Sequence, residues 1–217
     1  MRPSLRPLAA WLGLPHRERW RWLKRKLREA LPGADRIRSP DRVYLEETLL
    51  PGHAADPALR ALVFVGCEWY TRHYEAMFDP DRSRFRTIDI DPRRARHGAA
   101  RHIVAPLQEL AAHLAPASVD VIVCNGVYGF GIYDRRELGR ALLASHAVLR
   151  PGGTLILGWN DVPALAPFDP VGVALASGFA RDPARGDAWR VRTDTPTRHT
   201  FDTYVRVDDA SEPAATP

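Results

Sequence analysis

From residue 60 onward, short aliphatic runs alternate with amphipathic segments, and that rhythm restricts the chain to few architectures. Residues 62–66 (LVFVG), 85–90 (FRTIDI), 119–124 (VDVIVC) and 154–159 (TLILGW) read as strands, and 102–105 as a weaker one. A continuous apolar run such as 62–65 suits a strand buried on both faces. Between the strands, 68–78 places Tyr70, Tyr74, Met77 and Phe78 on one helical face. Residues 106–114 read as a short helix, and 134–149 as a longer one with Leu138, Ala141, Leu142, Ser145 and Leu149 inward. Arg150-Pro151-Gly152-Gly153 stops it. Strands alternating with helices predict a parallel sheet covered on both faces, with right-handed crossovers. Past residue 160 the rhythm changes. Residues 161–187 are rich in proline and glycine, with one short helix near 171–179. Residues 200–207 then set Phe201, Thr203, Val205 and Val207 against Asp202, Tyr204 and Arg206. With 189–192, this predicts an antiparallel hairpin at the sheet edge. The expected fold is α/β, a doubly wound sheet of about seven strands, mostly parallel with an antiparallel C-terminal strand, plus an N-terminal basic helix.

The charge is unevenly placed. Residues 1–42 hold twelve Lys or Arg and four Asp or Glu; the whole chain carries +5, so the rest carries a net −3. A basic arm on a slightly acidic body is not the pattern of an evenly basic nucleic-acid module. Within the arm, residues 16–31 (HRERWRWLKRKLREAL) put Trp20, Leu23, Leu27 and Leu31 on one helical stripe amid Arg and Lys. Three readings stay open: a helix packed on the body, a helix on an anionic membrane surface, and a docking element for nucleic acid. Trp11, Trp20 and Trp22 leave the oligomeric state open as well. The expected organisation is a basic helical extension and linker over 1–58, one domain over 59–207, and a disordered tail over 208–217. No run approaches a membrane-spanning length, the N-terminal apolar stretch is short and broken by proline, and two cysteines cannot make a disulfide framework. These features predict a cytoplasmic protein with Cys67 and Cys124 reduced.

In an open parallel sheet, ligands bind where the strands end. The first strand exits through Gly66-Cys67-Glu68-Trp69, the second through Asp89-Ile90-Asp91-Pro92. The fourth exits through Asn125-Gly126-Val127-Tyr128-Gly129, the fifth through Trp159-Asn160-Asp161. All four exits are polar, glycine-bearing or aromatic. A glycine after the first strand lets a ligand approach the backbone. A helix N-terminus following it would offer free N–H groups to a carboxylate. An aspartate closing the second strand can accept from both hydroxyls of a ribose. Together these point to a nucleoside cofactor. The two cysteines leave neighbouring strands, and small buried residues are the expected reading of both.

The order LVFVGCEW, TIDIDP, SVDVIVCNGV and LRPGGTLILGW resembles the class I S-adenosylmethionine-dependent methyltransferases, a Rossmann-like superfamily, over about residues 60–207. The resemblance implies S-adenosyl-L-methionine as cofactor, with Gly66, Cys67 and Glu68 against its methionine part. It implies Asp89 on the ribose, with Asp91 if the register differs by two, and Asn125 and Gly126 lining the cleft. The chain keeps only the first glycine of the family's G-x-G-x-G loop, and Ala105-Pro106 stand where an acidic residue often follows the third strand.

Methyl transfer needs chiefly alignment of nucleophile and methyl group, with a base where the nucleophile is acidic. The candidates are Tyr128, Asn160, Asp161 and His199, with His73 behind them; each has a plain structural reading as a packed ring, a turn or a polar link. The expected function is transfer of a methyl group to a small-molecule acceptor. The alternatives are a non-catalytic methyltransferase-like binding protein and a methyltransferase that docks on nucleic acid through its arm.

Overall fold

The structure, a computed structural model, describes residues 37–207. The basic helix predicted over 16–31 and the tail over 208–217 lie outside the described residues.

Five parallel strands form the heart of the molecule: β1 (Ala61–Val65), β2 (Arg84–Asp89), β3 (His102–Val104), β4 (Val119–Asn125) and β5 (Leu149–Asn160). Three more follow: β6 (Phe179–Arg181), β7 (Arg190–Arg192) and β8 (His199–Arg206). The sheet order is β3-β2-β1-β4-β5-β8-β6, and β7 also pairs with β8. β8 runs antiparallel to β5, β6 and β7. The predicted mixed sheet is present with eight strands rather than seven. β6 and β7 share the outer edge of β8, pairing with its residues 204–206 and 200–202. The hairpin therefore does not form the edge by itself, since β8 lies inside the sheet next to β5.

Alternate residues of β1 face two cores. Val63 and Val65 join Ile122, Leu138, Leu142, Leu155 and Trp159; Leu62 and Phe64 join Val121, Ile156, Phe201 and Tyr74. The first core is covered by α4 (Arg135–Val148), which follows α3 (Leu110–His113) and precedes α5 (Val171–Ala176). Asp134 caps α4 by accepting from the Glu137 N–H at 2.8 Å.

The second core is covered by residues read from sequence as extension and linker. α1 (Pro40–Tyr44), a π-helical turn (Leu45–Leu49) and α2 (Leu50–Ala55) run on from one another, inside the compact unit that begins at Arg38. The helix passes through Pro51. The wide turn, with Leu50 N–H bonded to the Leu45 carbonyl five residues back, replaces the regular ladder just where proline lacks a donor. Leu45 and Leu50 are fully buried. Each contributes about 1.5–3 kcal/mol of burial, enough to hold the helix on the sheet.

The helix predicted over 68–78 does not form. That stretch is a chain of turns closed by bonds three residues back, Thr71 to Glu68, Tyr74 to Thr71 and Met77 to Tyr74, ending in a 3-10 turn (Glu75–Met77). Two causes are local. Trp, Tyr, Thr and His are indifferent helix formers. The Thr71 hydroxyl also takes over backbone groups, accepting from Glu68 N–H at 3.1 Å and donating to the Glu68 carbonyl at 2.9 Å. No helix N-terminus therefore follows β1, and the carboxylate cradle expected there is absent. Among the described residues, no helix is long and apolar enough to cross a membrane.

Candidate functional site

A cavity of about 940 Å³ opens at the carboxyl ends of β1, β2, β4 and β5. Gly66, Cys67, Glu68, Asp89, Asp91, Asn125, Gly126, Asn160 and His199 all line it. Nine of the eleven site residues predicted from sequence thus come together. The two left out are Tyr128 and Asp161. The Tyr128 ring is buried against Trp159 and Phe168, and its hydroxyl donates to the Phe168 carbonyl at 2.6 Å. Asp161 is engaged by the Arg192 and Arg198 guanidinium groups. The polar atoms of both are thus engaged away from the cavity.

At one end of the cavity, β2 stops at Asp89. Its Oδ2 accepts from the Cys67 N–H at 2.7 Å and its Oδ1 from the Asp91 N–H at 2.8 Å. Each oxygen keeps a further lone pair for a ligand hydroxyl. Asp91 is committed elsewhere. Arg93 bonds both of its oxygens, at 2.9 and 2.8 Å, and those bonds hold the carboxyl at about 2, well below the usual carboxylate range. Of the two carboxylates, Asp89 carries no side-chain ion pair among the described residues. Beside it, Ile90 is 69% exposed and lines the cavity with Ala105 and Leu107, an apolar wall next to a carboxylate. Gly66 has φ +86, and a Cβ there would sit 3.3 Å from the Asn125 carbonyl oxygen. Only glycine leaves this bend both unstrained and open. Glu68 is held by Arg94, another lining residue.

At the other end, His199 leads into β8 opposite Asn160 of β5. Its Nδ1 lies 2.8 Å from Asn160 Oδ1, and its Nε2 lies 2.9 Å from Asn125 Oδ1. Thr197 hydroxyl donates to Asn160 Oδ1 at 2.8 Å, fixing that amide. Gly158 makes the meeting possible, because a Cβ there would fall 2.0 Å from Asn125 Oδ1. Burial lowers the His199 pKa to about 4, against a smaller raising effect of Asp41, so the ring is neutral at neutral pH. A neutral imidazole has one N–H and one lone pair; an imidazolium would donate to both amides. With both amide oxygens turned to the ring, the neutral imidazole donates to one of them, and only the imidazolium satisfies both.

The thiols are inert. Burial pushes both Cys67 and Cys124 up to about 12, which leaves almost no thiolate. His73 lies away from the cavity, 3.6 Å from Glu46. Sequence reasoning missed Asp41, Arg42, Gln108, Arg140 and Thr197, all of which line the cavity. Asp41 and Arg42 carried no signal, because a polar Pro-flanked stretch reads as linker. The short spacing from Thr197 to His199 was a usable one.

Neither a protein-family model nor a curated protein matches the chain. Solved structures do. The N-methyltransferase NodS from Bradyrhizobium japonicum WM9, in complex with S-adenosyl-L-homocysteine, is 14% identical with a TM-score of 0.58, over 84% of this chain and 96% of that one. A TehB-like SAM-dependent methyltransferase from Corynebacterium glutamicum is 16% identical with a TM-score of 0.56, over 74% and 86%. The 1,6-didemethyltoxoflavin-N1-methyltransferase of Burkholderia thailandensis is 16% identical with a TM-score of 0.51, over 96% and 92%. The chain has the fold of the class I S-adenosylmethionine-dependent methyltransferases.

Proposed function

We propose that this chain is an S-adenosylmethionine-dependent methyltransferase acting on a small-molecule acceptor. The observation that carries the reading is Asp89. It is a carboxylate at the end of β2 with one backbone N–H on each oxygen, a lone pair left on each, and the exposed Ile90 alongside. That combination suits the hydroxyls of a ribose and the face of an adenine. Gly66 supplies the open backbone next to it. A cavity of about 940 Å³ has room for a nucleoside cofactor together with a small acceptor, and lies near the upper end for small-molecule sites.

Bound there, S-adenosylmethionine would supply an electrophilic methyl group. The chain's own part is then orientation and proton management. Asn160, fixed by Thr197, and Asn125 hold the His199 ring at the cavity wall. Both ring nitrogens face amide oxygens, at 2.8 and 2.9 Å, so a proton released by the acceptor reaches the ring only by relay through water. The imidazolium it forms then donates to both oxygens, which offsets part of the burial cost of its charge.

The test is a thermal unfolding experiment with S-adenosylhomocysteine. At a hundredfold excess over the dissociation constant, binding adds about 2.7 kcal/mol. For a chain of this length that raises Tm by roughly 5–10 °C. No shift at any concentration, with the protein folded, would reduce the likeness to one of fold and favour a non-catalytic protein.

A further inference from the structure

The turn-rich segment after β1 offers no helix N-terminus, so an amino-acid group at that end of the cavity needs other partners. Helix α1 brings two opposite charges there. The Arg42 guanidinium lies 4.5 Å over the Tyr70 ring and donates to the Tyr70 hydroxyl at 3.2 Å and the Tyr74 hydroxyl at 3.3 Å. Both partners are neutral phenols. Its ion-pair neighbour is Asp41, and the Nε to Oδ2 separation of 3.8 Å is too long for a hydrogen bond.

The Asp41 carboxylate makes no hydrogen bond among the described residues, and both residues line the cavity. Their side chains are only 16% and 13% exposed. Charges so withdrawn from water are costly unless paired and hydrogen-bonded. A guanidinium and a carboxylate that served only each other would close into a two-pronged pair. These two stay apart. Asp41 keeps acceptor sites on both oxygens, and Arg42 keeps N–H donors beyond the two given to phenols. An α-amino acid presents the complement, an ammonium for Asp41 and a carboxylate for Arg42.

We propose that Asp41 and Arg42 form a binding site for an α-amino-carboxylate group. The inference deepens the cofactor reading above and rests on it for one of two sources, the methionine end of the cofactor. The other source is an amino acid serving as methyl acceptor. The position of Arg42, stacked on Tyr70 four residues past Gly66, favours the cofactor.

The experiment is calorimetric titration of wild type, Arg42→Gln and Asp89→Ala with two ligands. One is S-adenosylhomocysteine; the other is 5′-methylthioadenosine, which has the nucleoside but no amino acid. Arg42→Gln is expected to weaken the first by about 10–100-fold, as loss of a charged hydrogen bond does, and to leave the second unchanged. Asp89→Ala is expected to weaken both. Retained methylthioadenosine binding shows that the variant is folded. Should Arg42→Gln not fold, Asp41→Asn gives the same comparison without disturbing a hydrogen bond.

If S-adenosylhomocysteine binding is unchanged, each standard amino acid is added in turn to the saturated wild type and to the variant. Binding of one of them, lost in Arg42→Gln, assigns the site to the acceptor. Equal loss of both nucleosides, or no change with no amino acid bound, overturns the proposal. Failure of wild type to bind either nucleoside overturns the cofactor reading instead.

Discussion

Strands β5 and β8 carry a polar cluster on each face, and the two are built on opposite principles. On one face, Asp202 is fully buried and saturated. It accepts from Arg190 at 2.6 and 2.7 Å, from Trp159 Nε1 at 3.0 Å and from Tyr204 hydroxyl at 3.2 Å. Arg190 reaches on to Asp169, and its pKa is raised, first by the bonds to Asp202. Nothing is left for a ligand, and the cluster ties β7 to β8 and β5. On the other face, His199, Asn160 and Asn125 meet at a cavity wall with a proton to gain. Along the same cavity Asp41 and Arg42, which face that ring, and Asp89 also keep unused capacity. Polar groups alone thus do not mark a site; unspent hydrogen-bonding capacity beside open space does.

The largest effect is expected on the closed face. Asp202→Ala leaves the buried side of Arg190, the Trp159 N–H and the Tyr204 hydroxyl unpaired. Urea unfolding should show a loss of about 3–5 kcal/mol. A loss below about 1 kcal/mol would mean the cluster is not structural.

Gly158→Ala attacks the open face from beneath. Its Cβ would fall 2.0 Å from Asn125 Oδ1 and 3.2 Å from His199 Nε2. Overpacking of this kind costs about 1–3 kcal/mol, and the amide–imidazole contacts should be lost with it. The imidazole resonances of His199 should move; unchanged resonances would refute the geometry.

Asp89→Ala separates binding from folding. S-adenosylhomocysteine affinity should fall by about 1.5–3 kcal/mol in calorimetry, while the free protein keeps its Tm within a few degrees. Equal affinity would exclude Asp89 as the ribose partner.

The last effect vanishes at neutral pH. With a folded pKa near 4 and an ordinary value of 6.5, His199 takes up its proton in the unfolded chain first. Stability should therefore rise with pH between about 4 and 6.5, by at most about 1.4 kcal/mol per pH unit, and not change through this group above that window. Arg42 and Asp41 are the charged groups facing the ring, and their effects oppose each other. His199→Asn should flatten the slope. An unaltered slope would place the titration elsewhere.

Much of this contrast was legible in the sequence, and for a physical reason. Strand exits are read from the aliphatic runs before them, so Gly66, Asp89, Asn125 and Asn160 could be placed without knowing any contact. Saturation cannot be read that way. Tyr128 and Asp161 stand at the same exits, but Phe168, Arg192 and Arg198, distant along the chain, use up their polar atoms. Asp41 and Arg42 were hidden for the converse reason. They lie on a helix whose proline and π-helical turn erase the usual pattern, and only the burial of Leu45 and Leu50 places it on the sheet. The helix over 68–78 failed because periodicity ignores the turn chemistry of Thr71.

Amide hydrogen exchange with and without S-adenosylhomocysteine tests the contrast between the two faces most directly. The account predicts added protection at residues 66–71, 89–91 and 125–127, with β7 and residues 201–204 unchanged. No added protection anywhere, or protection centred on Arg190–Arg192, would contradict it.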